Sequence, residues 1–280
     1  MSLATETTDL VGPFRSPHNT AAQAKGSIHD DATATKLGFK GGTVAGSLHM
    51  DQFVPQLVEI YGGEWWRKGN LSLYFRQATV HGEAVRTFAR RGQPHARVWM
   101  ENEAGDLIMD GTASCTGADP DSELTHRLKG QATTDAGALR ILAKNKVGDE
   151  AAGVALKVTR EALEQRLKTV PEAMPEYSGD QPFLPPSMQV ALFRGAQESI
   201  VKLAGRAVGL FGAIELQSTS GPLRAETDYA GRFKILALSE SPKTENIWYQ
   251  AWAADPETGA DVASMVMYLR FMKASSDLWK

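Results

Sequence analysis

SIHDDATATKLGFKGGTVAGSLHMDQFVPQLVEIY, residues 27–61, places a short polar loop directly before an apolar segment. The titratable side chains of the loop are His29, Asp30 and Asp31. Beyond a glycine-rich turn, apolar residues recur at steps of three and four over residues 48–61, and further apolar residues widen this stripe. The pattern predicts a helix over residues 46–61 that is buried on nearly every side. Pro55 removes one hydrogen bond of that helix and is expected to kink it.

The start of this predicted helix is suited to hold negative charge. The first N–H groups of a helix lack partners within the helix, and the helix dipole adds positive potential there. Gly46 has no side chain, so an atom of a ligand can approach its backbone closely. Gly46 is therefore expected to donate its N–H to an oxyanion; the alternative is a glycine that only starts the helix.

Strand patterns follow the helix, and the order of elements then repeats. Alternating apolar residues predict strands at 71–80, 83–91, 95–101 and 106–116, with hairpin turns between them. A short helix is predicted over 160–167 and a second central helix over 189–203, followed by strands at 208–218, 223–240, 246–253 and 261–272. An order that repeats after about 150 residues indicates duplication of one fold, since solenoid repeats are much shorter.

Composition divides the chain into three parts. Residues 1–117 form the first unit, residues 118–150 are polar and charged as a linker is, and residues 151–280 form the second unit. Joining two such units covers the sheet edge that each would otherwise leave open. We expect the two central helices to lie side by side under one continuous antiparallel sheet. The first unit is expected to hold the chemistry, and the second to shape the pocket.

The loop and the first strands also carry a family pattern. The run IHDD…LGF…GG-VAGSL, followed by LYFRQATVHGEAV, resembles the MaoC-like or (R)-enoyl-CoA hydratase branch of the hotdog-fold proteins. On that pattern His29 takes the place of the catalytic histidine, Asp31 that of the acid two residues later, and Gly46 that of the glycine whose N–H polarises the thioester carbonyl. The resemblance covers residues 27–115. It implies an α+β double hotdog, in which antiparallel sheets wrap two long central helices, and a cofactor-independent hydratase or dehydratase of an acyl thioester such as acyl-CoA.

The chain differs from the family pattern at positions that leave the roles of nearby residues open. Ala24, Gly26 and Ala45 stand where the family has Asp, Asn and His. The segment from Asp31 to Gly38 is one residue shorter than in the family. In an alternative register, Asp30 takes the place of the acid and Ile28 that of the histidine.

His29 is the strongest candidate for proton transfer, because histidine changes its charge near neutral pH and can act as acid or base. A structural turn histidine is the alternative. Of the two carboxylates beside it, one is expected to cap the following segment and the other to orient His29, with Asp31 preferred for the second role over Asp30. His49 lies one turn beyond Gly46. It is either a second proton-transfer group or a hydrogen-bonded core residue.

Other side chains are assigned to the pocket rather than to the chemistry. Trp65 and Trp66 follow a Gly-Gly break and are expected to pack there or to form the pocket wall. Asp30 and Ala45 are expected in the same pocket. No histidine follows His126, so chemistry that needs histidine belongs to the N-terminal half.

Composition argues against several classes of partner. The chain of 280 residues has a net charge of −3, with both signs interspersed, which is unlike a nucleic-acid-binding surface. Cys115 is the single cysteine, so an intramolecular disulfide is excluded, and it is expected as a buried strand thiol of a cytoplasmic protein. No apolar leader follows Met1 and no apolar run is long enough for a membrane span.

The sequence lacks the spacing of a zinc site, a phosphate-binding loop and a dinucleotide fingerprint, so neither a metal nor a cofactor is expected. The expected partner is a small-molecule acyl thioester, and a homodimer is the candidate assembly. Two alternatives to the lyase stay open. Another reaction on the same scaffold, such as thioester hydrolysis or isomerisation or cyclisation of a non-thioester molecule, is favoured by Ala24. The other is a non-catalytic protein that binds an acyl ligand.

Overall fold

The computed structural model describes residues 8–280. The strands of its N-terminal half are β1 Leu10–Val11, β2 Asn70–Phe75, β3 Val85–Arg90, β4 Ala96–Asn102 and β5 Leu107–Ser114. The helices there are α1 Asp31–Lys36, α2 Gly46–Met50, α3 Val54–Tyr61, α4 Glu64–Lys68 and α5 Glu123–Lys129. The C-terminal half contains β6 Glu150–Leu156, α6 Arg160–Leu167, α7 Pro186–Gly195, β7 Gly209–Ser218, β8 Tyr229–Glu240, β9 Thr244–Ala254 and β10 Asp261–Met272.

The predicted central helix over residues 46–61 is confirmed, as three consecutive helical segments rather than one regular α-helix. A 3-10 turn, Asp51–Phe53, joins α2 to α3 without a break in the chain of helical residues. Pro55 lies in the first turn of α3, where its missing N–H leaves no hydrogen bond unmade. The helix ends at Gly62, whose φ of 63° is one that glycine adopts easily.

All strands of residues 8–280 join one antiparallel sheet with the order β1-β3-β4-β5-β2-β7-β10-β9-β8-β6. The halves meet where β2 pairs with β7, with Leu73 opposite Ile214. On the far side of this seam, β2 pairs with β5 and β7 pairs with β10, so the first strand after each central helix has the last strand of its own unit as its other neighbour. The two units are thus related by an approximate two-fold axis, and the predicted continuous sheet is confirmed.

The helices pack on the inner face of this sheet. α2 contacts α7, as the prediction of adjacent central helices requires. Met50, Phe53, Val54 and Leu57 of the first helical segment are fully buried in the core. Burying a side chain of this size contributes about 1.5–3 kcal/mol, so the apolar stripe read from the sequence is what holds the helix in place.

The second central helix is shorter than the predicted span 189–203. It begins at Pro186, because proline is well suited to the first position of a helix, and it ends at Gly195. The next residues form only a 3-10 turn, Gln197–Ser199. The predicted helix over 160–167 and the predicted strand over 261–272 coincide with α6 and β10.

Residues 118–150 connect the two halves and pack against both faces of the sheet. Ser122 caps the start of α5: its Oγ accepts the N–H of Thr125 and donates to the buried carboxylate of Glu215. Further along, the side chains of Leu139, Ile141 and Leu142 are buried. The carboxylate of Glu245 accepts the backbone N–H groups of residues 140–142. The division into units at 117 and 151 stays a prediction.

The first predicted strand, over 71–80, is wrong in its second half. β2 ends at Phe75, and the N–H groups of Arg76 and Gln77 both reach the carbonyl of Ile108. The chain then leaves the sheet. Thr79 accepts a backbone hydrogen bond from Val44, directly before α2. This departure brings residues 76–79 over the start of the central helix.

Candidate active site

A cavity of about 490 Å³ lies where the two halves meet. The N-terminal half contributes the loop around His29, the start of α2 and residues 75–79. The C-terminal half contributes the end of α7 with residues 207–211 and 269–271. Its volume is in the range of small-molecule sites, and apolar side chains such as Phe39, Phe75 and Phe211 form much of its wall.

His29 lines this cavity with one ring nitrogen fixed and the other free. Its Nδ1 lies 2.7 Å from the backbone carbonyl oxygen of Thr43. Because a carbonyl can only accept, Nδ1 carries the proton and Nε2 of the neutral ring carries the lone pair. Nε2 has no hydrogen-bond partner within residues 8–280. The ring is therefore held in the tautomer that a base facing the cavity needs.

The backbone of His29 is held as well. Asn19 Nδ2 donates to the carbonyl of His29 at 2.8 Å. Gly42 approaches the same carbonyl so closely that a Cβ at that position would lie 2.5 Å from the oxygen. A side chain at position 42 would thus push the histidine loop away from the start of α2.

The two carboxylates of the loop stabilise its backbone. Asp30 caps α1 by accepting hydrogen bonds from the N–H of Thr33 at 3.3 Å and from its hydroxyl at 2.6 Å. The hydroxyl bond also lowers the pKa of Asp30. Asp31 accepts the N–H of Gly42 at 2.6 Å. Neither carboxylate hydrogen-bonds His29 or lines the cavity, so the structure does not bring Asp30 or Asp31 to the site that the sequence predicts for them.

Gly46 and Ala45 form the cavity wall at the start of α2. Within residues 8–280 no group accepts the N–H of Gly46, so this donor is available at the cavity. A Cβ on Gly46 would lie 2.8 Å from Cε1 of Phe75. Only glycine lets the helix start at this distance from the aromatic wall.

His49 lines the cavity from one turn deeper and is a buried, neutral group. Its Nε2 lies 2.7 Å from Thr79 Oγ1, and its Nδ1 lies 3.3 Å from Gln52 Nε2. Burial penalises the charged ring and lowers the pKa of His49 to about 4. With the amide of Gln52 donating to Nδ1, the Nε2–H of His49 donates to Thr79, whose own hydroxyl proton is then free to point into the cavity.

Trp65 and Trp66 lie away from these residues. Trp65 stacks on Tyr61 with ring centroids 6.1 Å apart, and Trp66 packs edge-on against Tyr177 and Phe183. Both tryptophans line a second cavity of about 30 Å³, next to the start of α7. This is the counterpart of the first cavity under the approximate two-fold axis. Aromatic rings fill it, and Pro186 at the helix start has no N–H to donate.

Sequence reasoning missed several residues of the cavity. Thr43 contributes its backbone carbonyl, which any residue could supply. Asn19 contacts His29 from ten positions earlier in the chain. Neither contact corresponds to a recognisable sequence pattern. Thr79 falls within the strand predicted over residues 71–80, so it is not among the predicted site residues. Arg194 lies at the end of α7 and lines the cavity, and no local pattern in the sequence distinguishes it from the other arginines.

Residues 8–280 contain neither a cluster of metal ligands nor a helix that could span a membrane. Among them, no cluster of three histidine, cysteine, aspartate or glutamate side chains is arranged to hold a metal ion. No helix in the described part of the chain has the length and apolar character of a membrane span.

No family model matches the sequence, and no curated protein matches it either. Solved structures do match. A protein described as a MaoC domain dehydratase, from Chloroflexus aurantiacus, covers 95% of this chain over 95% of its own length, with 14% identity and a TM-score of 0.67. A conserved protein of Mycobacterium tuberculosis, described as essential for survival during infection and as a double hotdog, covers 96% of this chain over 97% of its own length, with 13% identity and a TM-score of 0.61.

A third structure is the dehydratase domain of PpsC from Mycobacterium tuberculosis in complex with C12:1-CoA. It covers 97% of this chain over 97% of its own length, with 12% identity and a TM-score of 0.51. At such identities the likeness shows the fold. The predicted α+β double hotdog is confirmed, and the resemblance to MaoC-like hotdog proteins is confirmed at the level of the fold.

Proposed function

We propose that this protein is a cofactor-independent lyase of the hydratase or dehydratase kind that acts on an acyl thioester such as acyl-CoA. The observation that carries the proposal is the fixed tautomer of His29. The Thr43 carbonyl leaves the lone pair of Nε2 free in a cavity that also contains the unpaired N–H of Gly46. A base and an oxyanion donor in one partly apolar cavity are the two groups that addition of water to an enoyl thioester needs.

In the hydration direction, the thioester carbonyl oxygen accepts a hydrogen bond from the N–H of Gly46. His29 Nε2 takes a proton from water while the water oxygen bonds to the β-carbon, and the electron pair of the double bond moves to the carbonyl as an enolate. The imidazolium then returns its proton to the α-carbon, which restores the carbonyl and the neutral base. Dehydration is the same sequence in reverse. An oxyanion donor of this kind is worth about 10²–10³ in rate.

The Thr43 carbonyl performs one role of the carboxylate that the family pattern would place at position 24, which is to hold the ring of His29 in one tautomer. It fixes the ring tautomer and still accepts from Nδ1 when the ring is charged. A neutral carbonyl stabilises the imidazolium less than a carboxylate would, because it carries no net charge. The buried pair of His49 and Thr79 adds a hydroxyl donor to the same cavity. The presence of an acyl-CoA in a structure of the same fold supports a thioester as substrate.

The experiment is an assay with crotonyl-CoA that follows the enoyl absorbance and the free thiol together. Loss of enoyl absorbance without thiol release is the expected result. Thiol release identifies hydrolysis instead. No change in either signal with this or any other enoyl-CoA, and with 3-hydroxybutyryl-CoA also unchanged, contradicts the lyase and favours a non-catalytic ligand-binding protein. A cytoplasmic location and a homodimer stay predictions from the sequence.

A further inference from the structure

Arg194 is a half-buried cation that lines the cavity without an anionic partner. It lies at the end of α7, and its guanidinium carbon is 5.0 Å from the ring centre of Phe211. Its side chain makes neither a hydrogen bond nor an ion pair with any group of residues 8–280. Burial lowers its pKa, which is the sign of a charge that the protein itself does not compensate.

The nearest polar neighbour does not supply the missing charge. Tyr249 lies close enough to Arg194 to interact with its charge, and its hydroxyl donates to Gln197 Oε1 at 3.3 Å. Burial raises the pKa of Tyr249 far above its ordinary value, so the phenol stays neutral. Arg194 is therefore left with a neutral hydroxyl and an aromatic face.

The cavity as a whole is positive. Its lining includes three arginines and no aspartate or glutamate. Arg76 is neutralised, because its guanidinium binds both carboxylate oxygens of Asp110 at 2.7 and 3.1 Å. Arg270 is not, since it donates only to the carbonyl of Phe75 at 3.4 Å. Two uncompensated guanidinium groups thus line a space that is also lined by His29.

An unpaired charge that is partly removed from water is costly, and the guanidinium of an arginine matches a carboxylate with two parallel hydrogen bonds. The N-terminal half supplies His29 and Gly46, whereas the C-terminal half supplies Arg194. All three residues line the same cavity, so an acyl group bound at His29 and Gly46 extends into the space that Arg194 lines. We propose that Arg194 binds a carboxylate at the far end of the acyl group, so that the substrates are monothioesters of unsaturated dicarboxylic acids. This inference rests on the proposed function and names its substrate class.

The test compares fumaroyl and crotonyl thioesters, which have four acyl carbons each and differ in the terminal carboxylate. Both are prepared with CoA and with N-acetylcysteamine, which carries no phosphate. Wild-type protein is expected to have the higher kcat/KM with the fumaroyl thioester of either carrier. Arg194→Gln is expected to reduce kcat/KM for the fumaroyl thioester about 10- to 100-fold. The fold-loss in kcat/KM for the crotonyl thioester is expected to be at least ten times smaller. Arg206→Gln, at an exposed arginine, is the matched control.

Three results would overturn the inference: a wild-type preference for crotonyl, an equal loss for both substrates in Arg194→Gln, or an effect seen only with CoA, which would assign Arg194 to the carrier phosphates.

Melting temperatures check that the variants fold. If Arg194→Gln does not fold, it is replaced by Arg194→Lys, which keeps the charge but lacks the planar guanidinium. If neither enoyl thioester reacts, the proposed function fails. Calorimetry with succinyl and butyryl thioesters then decides on Arg194: tighter succinyl binding that Arg194→Gln abolishes supports it, and equal binding contradicts it.

Discussion

Replacing Asp51 with asparagine is expected to change how the stability of the protein depends on pH. Asp51 is fully buried between the two halves, in the 3-10 turn that joins α2 to α3. Its Oδ1 accepts the N–H of Ser187 at 2.7 Å, and its Oδ2 has no partner among the residues that the structure describes. Burial raises the pKa of Asp51 to about 7, although hydrogen bonds from Ser187 and the charge of Arg166 act against the shift.

The size of the effect follows from this pKa. The ordinary value of 3.8 and the folded-state value of about 7 differ by about 3 units, and each unit corresponds to 1.36 kcal/mol. When burial raises the pKa of a carboxyl group, its contribution to folding stability is complete at pH values below the unfolded-state pKa. This contribution is lost as the pH rises through the folded-state pKa. Wild-type protein therefore loses about 4 kcal/mol in total, of which about 3 kcal/mol falls between pH 4.5 and pH 8.

The assay is urea unfolding of wild type and Asp51→Asn at several pH values in this window. The asparagine side chain can still accept the N–H of Ser187, but it does not ionise. The difference in unfolding free energy should move in favour of the variant by about 3 kcal/mol from pH 4.5 to pH 8. Taking the difference cancels the opposite contribution of His49, whose lowered pKa destabilises the folded state as the pH falls. A difference that is flat across the window would show that the pKa of Asp51 is not raised in the folded protein.

Substitutions at three further positions test other parts of the site. Gly46→Ala places a Cβ 2.8 Å from the Phe75 ring, so it should cost about 1–3 kcal/mol in urea unfolding and also reduce turnover. Asp31→Asn keeps an oxygen that accepts the N–H of Gly42, so its kcat/KM should stay within about threefold of wild type. Asp31→Ala should lower both the melting temperature and kcat/KM. Equal effects of the two variants would contradict the role of Asp31 in holding Gly42. His49→Gln removes a group with a pKa of about 4, so wild type should lose about 2 kcal/mol more than this variant between pH 8 and pH 5.

Much of the fold could be predicted because its elements are encoded locally. β10 and α6 coincide with the runs predicted from alternation and from helical spacing. The predicted strand over 71–80 is too long because alternation does not reveal where a strand loses its hydrogen-bonding partner. α5 is not predicted, because residues 118–150 have the polar composition of a linker. Ser122 as a cap and the ion pair between Glu123 and Arg127 are nevertheless local signals of a helix.

The candidate site was less predictable, for a physical reason. The loop of His29 and the start of α2 can be recognised from side chains, and the structure brings both to one cavity. The group that fixes the histidine ring is a backbone carbonyl, which every residue possesses and no sequence pattern reveals. Asp31, preferred for that role from the sequence, supports Gly42 instead. The charge of Arg194 becomes informative only when its lack of a partner is seen in three dimensions.

In the proposed reaction, His29 Nε2 moves the proton. The most direct measurement is the hydration rate of an enoyl thioester by wild type, His29→Ala and the exposed control His126→Ala, with melting temperatures to verify folding. Loss of the proton shuttle should reduce kcat about 10²-fold or more in His29→Ala, while the control stays at the wild-type rate. A folded His29→Ala protein within about threefold of the wild-type rate would contradict the account, since general acid–base catalysis is worth far more than that.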